Sequence, residues 1–241
     1  MRVTDAWIVN HGVDTLIVNA FYTDENNAPV KRDLDGELFQ QLEQWKRLAQ
    51  QEHDLHSTPW TFNQASLQMF PNGAGRGQWP WILETRDIKV YISAGQWNSI
   101  ASVRFSSDYL WSCPSLLEAL VQVQVFLNDL FHDEMFLQVS QVDLCADVAG
   151  WHDLEKLDRK RDFVSRSRKR GVHLEPAWGY DAHLQQESMG LHETGFVFSK
   201  RGAISCRIYD KTREIHVSGK EWVPDLWRYM AGRKQMARCG V

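Results

Sequence analysis

The sequence predicts an α+β fold, a mainly antiparallel sheet backed by helices on one face with the active groups on the other. Three observations predict it. Short apolar runs between residues 81 and 106 are broken by Thr85-Arg86-Asp87 and Ala94-Gly95, the signature of a strand meander. Two segments, 37 to 51 and 116 to 131, are helical in period or composition. The second helix leads directly into a strictly alternating run, Gln138 to Val148.

In chain order, a strand is expected at about 14 to 21. A helix follows around 37 to 51, where Leu38, Leu42, Trp45 and Ala49 recur at helical spacing and read as core. Residues 53 to 78 hold Pro59, Pro71 and the Asn72-Gly73-Ala74-Gly75-Arg76-Gly77 cluster, so an irregular connection is expected, with at most one short strand near Ser66 to Phe70. The glycines do not make a phosphate loop, because the lysine and Ser/Thr of that motif are missing and a strand follows. Three short strands then fill Trp81 to Ser106. Pro114 suits a first helical turn, and Ser115 with Glu118 has capping-box spacing. The helix body from Leu116 to Phe131 is apolar almost all round, which suits burial against a sheet. Residues 171 to 193 read as an excursion, and Lys200-Arg201-Gly202 as the hairpin joining a strand at 195 to 199 to the strand after it.

Composition bounds the class. The chain has 241 residues, 43% of them hydrophobic, enough for one large core or two small ones. With no repeat, low-complexity tract or clear linker, residues 1–241 read as one domain. Cys113, Cys145, Cys206 and Cys239 show no C-x-x-C spacing, which suits a reducing compartment. There is neither a membrane-length apolar run nor a signal-peptide core after Met1-Arg2-Val3-Thr4-Asp5, so a cytoplasmic protein without a membrane partner is expected. The net charge of -4 argues against bulk attraction to nucleic acid, so any DNA contact must be local. One basic run exists between Lys156 and Arg170, including Arg166, Arg168, Lys169 and Arg170. It reads either as a solvated helix face or as a phosphate-contacting patch, and its place just after the acidic strand favours DNA.

Two segments carry chemistry. In Val142-Asp143-Leu144-Cys145-Ala146-Asp147-Val148, alternation sets Val142, Leu144, Ala146 and Val148 on one side and Asp143, Cys145 and Asp147 on the other. Aspartate is depleted in strands, so a pair on one face implies a cation or a basic neighbour. Their α-carbons would lie about 13 Å apart, so one ion is not easily shared by both unless a bulge intervenes. In Cys206-Arg207-Ile208-Tyr209-Asp210-Lys211-Thr212-Arg213-Glu214, an extended backbone would put Arg207, Tyr209 and Lys211 on one face. Two cations flanking a phenol favour its ionised form and can hold a phosphate while the phenolate attacks. The plain alternative is a strand tyrosine among surface charges.

Taken together, these motifs resemble the replication initiation factors of rolling-circle plasmids, phages and integrative elements. The similarity continues through Ser218-Gly219-Lys220 and Trp222, and includes Gly12-Val13-Asp14-Thr15-Leu16, Val103-Arg104-Phe105-Ser106-Ser107 with Leu110-Trp111, and Phe163-Val164-Ser165-Arg166-Ser167. The resemblance spans about residues 12 to 228. It implies a fold related to rolling-circle initiator catalytic domains, with Tyr209 as the nucleophile of a DNA-nicking reaction and Arg207 and Lys211 stabilising charge. It also implies a divalent metal at Asp143 or Asp147, with Glu214 either a further ligand or an i, i+3 partner of Lys211. Carboxylate ligands, in a chain whose nine histidines show no histidine-hydrophobe-histidine motif, imply Mg2+ or Mn2+. Expected partners are origin DNA, single-stranded or hairpin, a host helicase and a second copy of the chain. Relatives continue past the Trp-Arg equivalent to Trp227-Arg228 into a W-R-V-E strand. Here a basic tail from Tyr229 to Val241 follows instead, so a truncated end lacking a strand and a helix is expected, together with weak nicking or DNA binding alone. A tyrosine recombinase is disfavoured by the strand-rich middle of the chain.

Overall fold

The computed structural model describes residues 7–95, 99–150, 170–181, 186–199, 204–218, 220 and 222–239. The elements, in order, are β1 (Trp7–Thr23), β2 (Pro29–Val30), α1 (Gly36–Glu52), β3 (His56–Phe62), β4 (Ala65–Met69), β5 (Trp81–Glu84), β6 (Ile88–Ile92), β7 (Ala101–Phe105), α2 (Ser107–Ser112), α3 (Leu116–Phe131), β8 (Met135–Ala149), β9 (Arg170–Asp181), β10 (Gln186–Phe198), β11 (Cys206–Tyr209), α4 (Lys211–Ser218) and α5 (Trp222–Cys239). The class is α+β with mainly antiparallel pairing, as expected. The chain forms two compact units, Gly12–Cys145, and Met1–His11 with Ala146–Val241.

The unit Gly12–Cys145 holds most of an eight-stranded sheet ordered β2-β1-β7-β6-β5-β4-β3, with β8 also paired to β1. Alternation in β6 buries Ile88, Val90 and Ile92, which join Val18, Leu83 and Val103 in one core. Helix α1 starts where Asp35 accepts hydrogen bonds from the backbone N–H of Glu37 and Leu38, at 2.9 and 3.3 Å. It buries Leu38, Leu42 and Ala49 and stops at His53, whose φ of 55° is a left-handed C-cap. Trp45 packs on the core, partly covered, and stacks on His56 at 5.5 Å.

Ser115 caps α3 as its spacing predicts, its hydroxyl accepting from Glu118 N–H at 3.2 Å. The helix buries Ala119, Val123, Phe126, Leu127, Leu130 and Phe131, but only on one side: Leu117 is 70% exposed, and Val121 and Val125 also face outward. All-round burial, expected from composition, is corrected to burial of one face. Ser115→Ala removes the partner of an otherwise orphaned N–H, and should cost about 1 kcal/mol of stability in urea unfolding.

Further expectations change. Residues 53 to 78, read as irregular, contain the β3–β4 hairpin. Its turn residues Asn63 and Gln64 both have positive φ, 49° and 67°, the twist that suits a two-residue hairpin. Pro59 is tolerated because β3 is the edge strand and its pairing shifts between Ser57 and Thr61. Short α2, capped by the Ser106 hydroxyl on Tyr109 N–H at 3.1 Å, follows β7 and carries Trp111. A Cβ at Gly12 would stand 2.5 Å from the Trp111 ring, so Gly12 and Trp111 are in close contact and a larger residue at 12 would require the indole to shift. In β8 the alternation holds, and the acidic side is the more covered of the two. Val142, Leu144 and Val148 are 48%, 79% and 42% exposed, whereas Asp143, Cys145 and Asp147 are partly covered.

In the second unit, β9, β10 and β11 form an antiparallel sheet in the order β11-β10-β9. The excursion expected over 171 to 193 is instead two long paired strands, Phe198 opposite Arg170 through Gln186 opposite Asp181. Gly171, Pro176, Gly179 and Gly190 interrupt the apolar period there, which hides strands whose regularity lies in the backbone ladder. The pairing of β10 with β11 agrees with the expected hairpin, whose Lys200-Arg201-Gly202 turn lies outside the described residues. The basic tail lacks a strand pattern because most of it continues α5.

Candidate functional site

The site grows out of the point where β11 ends and α4 begins. Only Cys206–Tyr209 is extended, so the expected strand does not reach Lys211. Asp210 turns the chain: its carboxylate accepts from Thr212 N–H at 3.0 Å and its carbonyl from Glu214 N–H at 3.3 Å, opening a helix. Lys211 is therefore the first residue of α4, and not a strand neighbour of Tyr209. The two side chains meet all the same. Lys211 Nζ donates to the Tyr209 hydroxyl at 3.3 Å and lies 5.6 Å from its ring centroid.

Glu214, one helical turn on, forms an ion pair with the same ammonium at 2.5 Å, so Lys211 is held between a phenol and a carboxylate. Both charged side chains are largely covered, 19% and 20% exposed, and in that setting a charge-assisted bond is strong. Burial works against the Lys211 charge. The hydrogen bond and charge of Glu214, together with the nearby Tyr209 oxygen, outweigh it and hold Lys211 above its ordinary value. Lys211 is consequently an ammonium throughout the neutral range. It can donate a hydrogen bond and stabilise negative charge, but it cannot take a proton. Arg207, also on β11, is exposed.

Asp147 is placed by a different contact. Trp227 Nε1, on α5, donates to Asp147 Oδ2 at 2.8 Å across 80 residues of sequence. The donor fixes the carboxylate orientation and satisfies one of its oxygens. In the other unit, Gln141 Nε2 lies 3.2 and 3.3 Å from the two oxygens of Asp143 on the same strand. The two aspartates are thus held by separate partners. Their hard oxygen donors suit Mg2+ or Mn2+ in chemistry, though among the described residues no three His, Cys, Asp or Glu side chains converge on one point. Arg166, Arg168 and Lys169 lie outside the described residues, and Arg170 opens β9.

The Trp227–Asp147 hydrogen bond is a contact that sequence reasoning missed. Trp227 was legible only as part of a motif, although an indole N–H in a half-covered position needs an acceptor, and the acidic strand offers one. Among the described residues, no helix is long and apolar enough to cross a membrane. Compared with family models, curated proteins and solved structures, the chain finds no match.

Proposed function

We propose that this protein makes a site-specific nick in one DNA strand, as a rolling-circle initiator does, with Tyr209 as nucleophile. The observation that carries the reading is the contact of the Tyr209 hydroxyl with the largely covered ammonium of Lys211. The phenol oxygen forms a bond to the scissile phosphorus while the bond from phosphorus to the 3' oxygen breaks. The products are a 5'-phosphotyrosine and a free 3'-hydroxyl, on which the phenol proton ends. Lys211 stabilises the charge that builds on the phenol oxygen and the phosphate as the attack proceeds, and exposed Arg207 can contact the incoming strand. Mg2+ or Mn2+ would be held by Asp143 or by Asp147, with Glu214 as a further candidate ligand, and when bound would polarise the phosphate. Arg166, Arg168, Lys169 and Arg170 would contact backbone phosphates of origin DNA in the cytoplasm.

The test is incubation with a pool of randomised single-stranded hairpin oligonucleotides and Mn2+, followed by a denaturing gel. A covalent protein–DNA band supports the reading, and its absence at all protein concentrations overturns it. Lys211→Met should slow adduct formation about 100-fold or more while DNA affinity, measured by filter binding, falls much less. An unchanged rate would remove Lys211 from the chemistry.

A further inference from the structure

Gly195 faces Tyr209 across the β10–β11 ladder and is fully covered. A methyl group placed on it would lie 1.9 Å from the Ile208 carbonyl oxygen, 2.5 Å from Tyr209 Cα and 2.8 Å from the Ile208 carbonyl carbon. All three obstacles are backbone, so no side-chain rotation relieves them. The two chains approach here more closely than a pair of substituted residues allows. The approach coincides with an irregularity on the opposite edge of β10. Glu193 pairs with Leu174 and Gly195 with His173, so Thr194 is an extra residue in the strand. A bulge bends its strand and increases its twist, and such features re-aim side chains beside active sites.

We propose that the Thr194 bulge and Gly195 form a seat that positions the nucleophile, with Gly195 a positioning residue for Tyr209. This rests on the reading of Tyr209 as the nucleophile. β11 is only four residues long and, among the described residues, its ladder partner is β10, which sets its lateral position. Immediately after Tyr209 the chain turns into α4, which carries Lys211. The depth to which Tyr209 Cα sinks against Gly195 therefore sets the reach of the phenol to Lys211 Nζ, now 3.3 Å. A side chain at 195 would lift Tyr209 off β10 by more than an ångström and break that contact. Displacements of this size cost about 100-fold in rate even when binding survives.

The experiment reads position and chemistry separately. In protein labelled with 13C at tyrosine Cζ, the Tyr209 resonance is the one of the six lost in Tyr209→Phe. Lys211→Met defines the shift produced when the ammonium contact is removed. Gly195→Ala is expected to move the Tyr209 resonance the same way, leave the others in place, and lower adduct formation on the randomised hairpin pool about 100-fold at unchanged affinity. A Tyr209 resonance unmoved in Gly195→Ala overturns the seat. If Gly195→Ala does not fold, the unaltered protein decides: a nuclear Overhauser contact between the α-hydrogens of Gly195 and Tyr209 supports the close approach, and its absence refutes it. Failure of the unaltered protein to form any adduct would defeat the nicking reading, while the resonance and Overhauser measurements would still decide the seat.

Discussion

Tyr209→Phe is expected to abolish the covalent protein–DNA adduct while leaving DNA affinity nearly intact. The substitution deletes one oxygen and keeps a half-covered ring in place, so neither the β10–β11 ladder nor the turn at Asp210 loses a partner. Lys211 remains paired with Glu214 at 2.5 Å, and the local cation therefore persists for any phosphate contact. Without the oxygen there is no attacking atom, and the loss is total, not graded. Of the other tyrosines, Tyr22 and Tyr109 are 1% and 6% exposed, and both sit in the core of the other unit. Tyr229, on α5, is an exposed competitor among the described residues, so Tyr229→Phe is a matched control and should leave the adduct unchanged. A denaturing gel of both variants checks the assignment, and an adduct lost in Tyr229→Phe but kept in Tyr209→Phe would reverse it.

The largest loss of stability is expected from Trp81→Ala. Trp81 is among the largest fully buried side chains, standing edge-on to Phe39 at 5.3 Å between centroids. Its indole N–H donates to Glu43 Oε1 at 2.9 Å, tying β5 to α1. Truncation removes the ring, opens a cavity at the sheet–helix junction and leaves a half-covered carboxylate without its donor. The cost should be about 3–5 kcal/mol, read as a lower urea midpoint. Trp81→Phe, which refills most of the volume and forgoes only the hydrogen bond, should recover most of that. A loss well under 1 kcal/mol in the alanine variant would show that this junction does not hold the unit together.

Where physics acts between near neighbours, the sequence was legible. The Leu38, Leu42 and Ala49 stripe and the Ser115–Glu118 cap each depend on groups within a few residues, and each was found in its expected place. The 53–78 hairpin was hidden because proline and positive-φ turn residues resemble irregular chain until the edge position of β3 is known. The 171–193 hairpin was hidden for a related reason, since its order resides in backbone pairing that leaves little trace in side-chain period.

The candidate site divides along the same line. Sequence alone singled out Tyr209, Lys211 and Glu214, and the i, i+3 spacing allowed the ion pair that the fold contains. Only the tertiary structure decided that β11 stops at Tyr209, so that Lys211 reaches the phenol from a helix and not along a strand. It also decided that Trp227 holds Asp147 and that the apolar side of β8 is the more exposed one. Period determines that a strand has two distinct faces; which face is covered, and which distant side chain supplies a donor, depends on elements far away in sequence. The residue types were therefore written locally, while their partners were set by long-range packing.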